Sequence, residues 1–220
     1  MLNKYEKKIV EMRDAIIEIG NGLILSNEII LDGFESCDAE KLNNAKSYIK
    51  NVSTKTAVID NEIITILALQ APEASDLRKM VSYFKITNEL LRAAANTRNF
   101  IKGFVEICEE IDMKAVKEYA IPMQKSTVDA LKYAINMISV DCNDEIQECF
   151  NKVLVAESKT DDFYEIIESN LLKQAEDIDN FDVYHKMLSA LRKSEKIADR
   201  AMSIASLLLF ANLGGEIHQV

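Results

Sequence analysis

Apolar residues recur every three to four positions along nearly the whole chain, and sustained strand-type alternation is lacking, so the pattern predicts helices. Six long ones can be read. The first covers about residues 4–34 and ends in a turn containing Gly33 and Cys37, after which Asp38 is placed to cap the next helix. The second covers about residues 39–70. Pro72 opens the third, with Glu73 and Asp76 in its first turn, where acids suit the helix dipole. That helix continues to about residue 109. A short helical stretch after Asp112 ends near Pro122, and the fourth helix runs from there to about Val140. The fifth covers about residues 143–174, the polar run 176–180 forms a turn, and the sixth covers about residues 181–212 before Gly214 and Gly215 stop it.

Helices of about 30 residues greatly exceed the usual length of ~11–12. Short connections between them make neighbours antiparallel. Three long helices, a break, and three more predict an all-α fold of six long antiparallel helices. They form two tandem three-helix bundle repeats, residues 1–110 and 111–220. The repeated breaks argue for a bundle rather than a coiled-coil filament. With 2 Pro and 6 Gly in 220 residues, the chain lacks the turns of a β-sandwich or barrel.

Charge narrows the chemistry. Lys and Arg number 26 against 36 Asp and Glu, a net charge of −10, which opposes phosphate-backbone contacts and excludes nonspecific nucleic-acid binding. No apolar run is long enough to span a membrane; the best, residues 201–213, is short and contains Ser203, Ser206 and Asn212. The first residues, MLNKYEKKIVEMRD, hold no apolar signal core, so secretion is not expected. Cys37, Cys108, Cys142 and Cys149 form no C-x-x-C pair and read as reduced thiols of a cytosolic protein. His185 and His218 are the only histidines, so a His-based metal site or triad has almost nothing to draw on. No nucleophile–base pair, P-loop or dinucleotide turn is present. Gly20 and Gly22 fall mid-helix and fit close helix contact better than phosphate binding.

The informative feature is a set of acids on faces that should be apolar. The sixth helix carries the stripe Tyr184, Met187, Leu188, Leu191, Ala198, Met202, Ala205 and Leu209, and its continuation from Leu191 lands on Glu195, with Asp199 one turn on. The fifth carries Ile146, Phe150, Val153, Leu154, Tyr164 and Leu171, with Glu157 and Asp161 in the gap. Glu157 and Asp199 are equidistant from residue 178, as are Asp161 and Glu195, so an antiparallel hairpin centred there levels the two pairs roughly 25 Å from the turn. Four such carboxylates repel, and a bound cation relieves them; an all-oxygen set suits hard cations. The competing expectation is an acidic face held by Arg192, Lys196 and Arg200. Across the first hairpin the corresponding positions are Lys55 with Ala95 and Ile59 with Leu91, which lack the acids and fit apolar packing; Asp60 and Glu62 nearby are expected to be exposed.

Two segments resemble the PhoU family. Leu67-Ala68-Leu69-Gln70-Ala71-Pro72-Glu73-Ala74-Ser75-Asp76-Leu77-Arg78 is similar to that family's hairpin turn, close to L-Q-x-P-x-A-x-D-L-R. Ser194-Glu195-Lys196-Ile197-Ala198-Asp199-Arg200-Ala201 is similar to its E-R-I-G-D-H-A stretch, and a glycine soon after the last helix, here Gly214, is also shared. The resemblance extends over the whole length. It implies a cytosolic, non-enzymatic regulator of phosphate uptake and of the phosphate-starvation response. Its implied partners are the ATPase subunit of the membrane phosphate importer and a sensor histidine kinase, with peripheral membrane association through them, and it implies a homodimer. It also implies a metal ion on carboxylate ligands, matching Glu157, Asp161, Glu195 and Asp199, with iron, Mn, Mg, Ca and Zn undistinguished. The first repeat departs from the pattern at Leu91-Arg92-Ala93-Ala94-Ala95-Asn96, so a metal is expected at most in the second repeat, and Arg200 stands at the family's histidine position. Asp76 and Arg78 read as a structural turn motif.

Two alternatives differ in class. One is a metal-free helical scaffold or adaptor. The other is a carboxylate-bridged di-iron enzyme, which needs two E-x-x-H motifs; the nearest match is a single Asp182-x-x-His185.

Overall fold

Residues 4–70, 72–108, 113–174 and 181–215 are described by a computed structural model, and among them all regular structure is helical. The helices are α1 (Lys4–Ser36), α2 (Ala39–Ala45), α3 (Val52–Gln70), α4 (Ala74–Val105), α5 (Met113–Asn136), α6 (Asn143–Gln174) and α7 (Phe181–Leu213). Single 3-10 turns follow α2 (Lys46–Ile49) and α5 (Met137–Ser139). With α2 and α3 taken as one interrupted helix, these are the six expected helices. The repeat boundary at residue 110 and the polar turn 176–180 lie outside the described residues.

Local chemistry explains most ends. Cys37 takes a left-handed φ of 53° and donates its N–H to Gly33 O at 3.0 Å, closing α1. Asp38 then caps α2, accepting from Lys41 N at 2.9 Å. Gly214, with φ 75°, donates to Phe210 O at 2.9 Å and ends α7.

Two expectations are corrected. The second helix is not continuous over residues 39–70. Its chain tightens into the 3-10 turn, Lys50 becomes extended, and Asn51 adopts φ 63°, a conformation its short polar side chain tolerates. The jog brings the carbonyl oxygen of Tyr48 to 2.5 Å from where a Cβ on Gly22 would stand, so only glycine fits there without displacement. Pro122 likewise does not separate two helices but lies inside α5. The carbonyl that loses its N–H donor belongs to Glu118, an exposed residue open to solvent.

Packing alternates in direction. The core divides into two apolar clusters, and every long helix passes between them. One is built around Ile16, Leu23, Ile63, Ile86 and Ile204. The other is built around Phe34, Phe100, Phe104, Leu171 and Leu191, with Phe34 and Phe104 ring centres 4.4 Å apart. α1, α4 and α6 run from the first cluster to the second, and α5 and α7 run back, as does the chain from α2 to α3. α4 lies along α7, so helices of both halves share each cluster.

The clusters are separated by a layer of buried polar side chains: Asn27, Thr97, Gln124, Thr127, Thr160 and Ser194, each at most 1% exposed. Asn27 Nδ2 donates to Thr97 Oγ1 at 3.2 Å, Gln124 Nε2 donates to Asn27 Oδ1 at 3.2 Å, and Ser194 Oγ donates to Gln124 Oε1 at 2.6 Å. The chain of bonds crosses α4, α1, α5 and α7. Buried polar groups of this kind are tolerated because each finds a partner. The layer sits at the level of Glu195.

Candidate functional site

The hairpin of α6 and α7 brings the two acidic pairs together. Carboxylate oxygens of Glu157, Asp161 and Asp199 all lie within 4.8 Å of one another. Glu195 adjoins them beside Asp161, and carboxyls placed this close favour a shared proton or an intervening cation over full ionisation. Glu195 is the buried member, 4% exposed, and Glu157 and Asp199 are half-buried. Flanking positions follow the expected stripes: Tyr164, Leu171, Met187, Leu191, Ala198 and Met202 are buried. Leu154 differs, being 44% exposed, because it falls on the outer face of α6.

The expected cations are there too. Arg192 Nε lies 3.1 Å from Glu195 Oε2 and its guanidinium covers the Tyr164 ring at 5.0 Å. Lys196 Nζ reaches Asp199 Oδ2 at 2.7 Å and Glu195 Oε1 at 3.2 Å. Arg200 turns mainly to Glu89 on α4, at 3.0 Å, and stands 3.7 Å from Asp199.

The balance of these charges leaves the acids strained electrostatically. Burial first, then the neighbouring Asp161, Asp199 and Glu195, raises the Glu157 carboxyl above its ordinary range. Burial and Asp199 raise Asp161 and Glu195, against the opposing pull of Lys196 and Arg192. For Lys196, burial disfavours the charge, but its hydrogen bonds and attraction to Asp199 and Glu195 outweigh that and raise it.

The donor set fits a hard cation. Oxygens held 2.0–2.6 Å from one ion are separated by at most about 5 Å, the spacing found among Glu157, Asp161 and Asp199. Among the described residues, Asp161 Oδ1 is buried and has no hydrogen-bond partner, as expected for an oxygen with an unfilled acceptor role.

Other singled-out residues stand apart from this site. Asp76 accepts the Tyr5 hydroxyl at 3.0 Å, tying the start of α1 to the start of α4; burial and this carboxylate push Tyr5 up to about 12. Arg78 lies against the end of α7 at Gly214, and among the described residues its buried Nε has no hydrogen-bond partner. The first hairpin closes with apolar packing at Ile59 and Leu91. Asp60 and Glu62, expected to be exposed, are half-buried and engaged: Asp60 accepts from Thr87 at 2.6 Å, and Glu62 pairs with Lys8. Asp182 and His185 are exposed in the first turns of α7, away from the cluster, with His185 stacked on Phe181. Glu89, Gln124 and the polar layer escaped the sequence reading; the signal was a set of polar residues interrupting every apolar stripe at one level.

Comparison with known proteins agrees in both sequence and shape. Residues 16–102 match the family model described as PhoU domain. The chain is 26% identical, over 219 residues, to the phosphate-specific transport system accessory protein PhoU homolog of Pseudomonas aeruginosa, covering 98% of this chain and 80% of that protein. The crystal structure of PhoU from Pseudomonas aeruginosa superposes with a TM-score of 0.84 at 19% identity, covering 96% of this chain and all of that one. The phosphate transport system regulatory protein PhoU from Streptococcus pneumoniae gives 0.80 at 18% identity over 99% of this chain and 100% of that one. In sequence over its length, and in the fold of its helical bundle, the chain is therefore similar to PhoU proteins, with residues 16–102 the part that matches the PhoU domain model.

Proposed function

We propose that this protein is a non-enzymatic accessory regulator of a phosphate-specific transport system. The observation that carries the reading is similarity to an accessory protein of such a system along 98% of the chain. On this reading it works by contact in the cytoplasm, as a homodimer of chains each divided into repeats 1–110 and 111–220. It binds the importer's ATPase subunit and a sensor histidine kinase, reaching the membrane through them; no helix of the described residues is long and apolar enough to cross a membrane. The test is capture of the importer ATPase by the tagged full chain from cells grown in high and in low phosphate. Failure to capture it in both would count against the reading.

Within that role, Glu157, Asp161, Glu195 and Asp199 hold a hard divalent or trivalent cation. The ion would neutralise the repulsion between α6 and α7 and fix their register. A second reading has its own observation: Lys196 already bridges Asp199 and Glu195, so an internal ammonium takes the place of the ion and the protein is a metal-free adaptor. Elemental analysis of protein purified without chelator separates the two. At least one equivalent of metal, lost in the Asp161→Asn and Asp199→Asn double variant, supports the first; metal-free protein supports the second.

A further inference from the structure

Away from the carboxylates, α1, α4, the segment after α5 and α7 enclose a cavity of about 70 Å³. At roughly 10–15 Å³ per water position it has room for about five, the scale of one tetrahedral oxyanion. Its polar lining is Arg13, Lys79, Tyr83, Asp141 and Asn212. Among the described residues Arg13 Nε is buried without a hydrogen-bond partner, and the mostly exposed Asp14 stands 3.5 Å from it. Asn212 directs one N–H to Leu208 O at 2.8 Å, and among the described residues its second N–H is unassigned. Tyr83 is 6% exposed, and burial raises its hydroxyl, keeping it a neutral donor.

We infer that this cavity is a site for a small oxyanion that carries its own proton, hydrogen phosphate being the fitting case. Arg13 and Lys79 supply charge-assisted donors, and Tyr83 and Asn212 supply neutral ones. Asp141 in the lining and Asp14, paired with Arg13, offset the two cations, so a bare oxyanion gains little. A carboxylate accepts but does not donate, so Asp141 pairs with an anion bearing an O–H and repels one that is fully deprotonated. That logic favours hydrogen phosphate over sulfate, an anion of the same shape without a proton at neutral pH. The choice of phosphate among proton-bearing oxyanions rests on the proposed transport role; the selectivity rests on the lining.

The test is thermal unfolding of the full chain, stripped of metal by chelation so that the carboxylate cluster contributes nothing, in inorganic phosphate or sulfate at equal ionic strength. At ten times the dissociation constant, phosphate should raise the melting temperature by about 3–5 °C, and sulfate should not. Arg13→Gln or Lys79→Gln should remove the phosphate response, and Asp141→Asn should admit sulfate. No response to phosphate, an equal response to sulfate in the unaltered chain, or a full response in both cation variants would overturn the inference. Capture of the importer ATPase is read separately, so failure here leaves the transport role standing.

Discussion

Ser194 Oγ donates to Gln124 Oε1 at 2.6 Å across 70 positions of sequence, both side chains about 1% exposed. The bond clamps α7 to α5 one residue before Glu195. Through Gln124 and Asn27 the same chain of bonds continues to Thr97 on α4. Apolar contacts alone allow helices to slide by a turn; a buried donor and acceptor must meet at one register, which fixes the height at which Glu195 faces α6.

Removing the hub of this layer should therefore be costly. Gln124→Ala removes the donor to Asn27 Oδ1 and the acceptor of Ser194 Oγ, and we expect a loss of about 1–3 kcal/mol. Ser194→Ala should cost less, since Thr127, 3.1 Å from Ser194 Oγ, is already bonded to Met123 O. Urea unfolding of both single variants and the double variant should reveal a coupling of about 0.5–3 kcal/mol.

The raised carboxyls set a pH dependence. Glu157, Asp161 and Glu195 are all shifted upward on folding, first by burial and then by a neighbouring carboxylate, Asp161 for Glu157 and Asp199 for the other two. The native state then binds more protons than the unfolded chain above the ordinary carboxylate range of about 4. Their stabilising contribution is full below that range and disappears as pH rises through the folded values. Metal-free protein should melt at a higher temperature at pH 5 than at pH 7, and acidification should weaken metal binding. Calorimetry across pH 5–8 in chelator checks both; a melting temperature that rises toward pH 7 would contradict the assignment.

Glu195→Gln separates charge from shape. At an effective dielectric of about 20, repulsion at contact distances is a few kcal/mol. Lost attraction to Lys196 and Arg192 offsets most of it. We expect metal-free stability to rise by about 1 kcal/mol at pH 7, the pH 5–7 difference to shrink, and any chelator-induced drop in melting temperature to diminish. Chemical denaturation with and without chelator measures all three.

The close approach at α1 should be intolerant of a methyl group. A Cβ on residue 22 meets the Tyr48 carbonyl, which is backbone, whereas one on residue 20 meets only the side chain of Ile135. Mid-helix Gly→Ala otherwise gains about 1 kcal/mol. Gly22→Ala should instead lose about 1–3 kcal/mol, the cost of overpacking, and Gly20→Ala should lose less. Paired urea titrations decide the order.

Much of this molecule was legible in one dimension. The 3.6-residue period of apolar positions predicts the helices, because each must bury one face. Acids at positions 157, 161, 195 and 199 stood out for breaking that period. The meeting of Glu157, Asp161 and Asp199 across α6 and α7 followed from constant rise along antiparallel helices, a local property of the chain. Other features were decided only by tertiary structure. Pro122 remains helical because the carbonyl it orphans is at a solvent-facing position, and the chain jogs at Asn51 where Tyr48 presses on Gly22. Asn27, Thr97, Gln124 and Ser194 lie on four helices, and neither their common level nor their bonds can be read from any one of them. Periodicity is a property of a single helix. Satisfaction of a buried polar group depends on which other helix stands opposite, and the long-range packing of α1, α4, α5 and α7 supplies that.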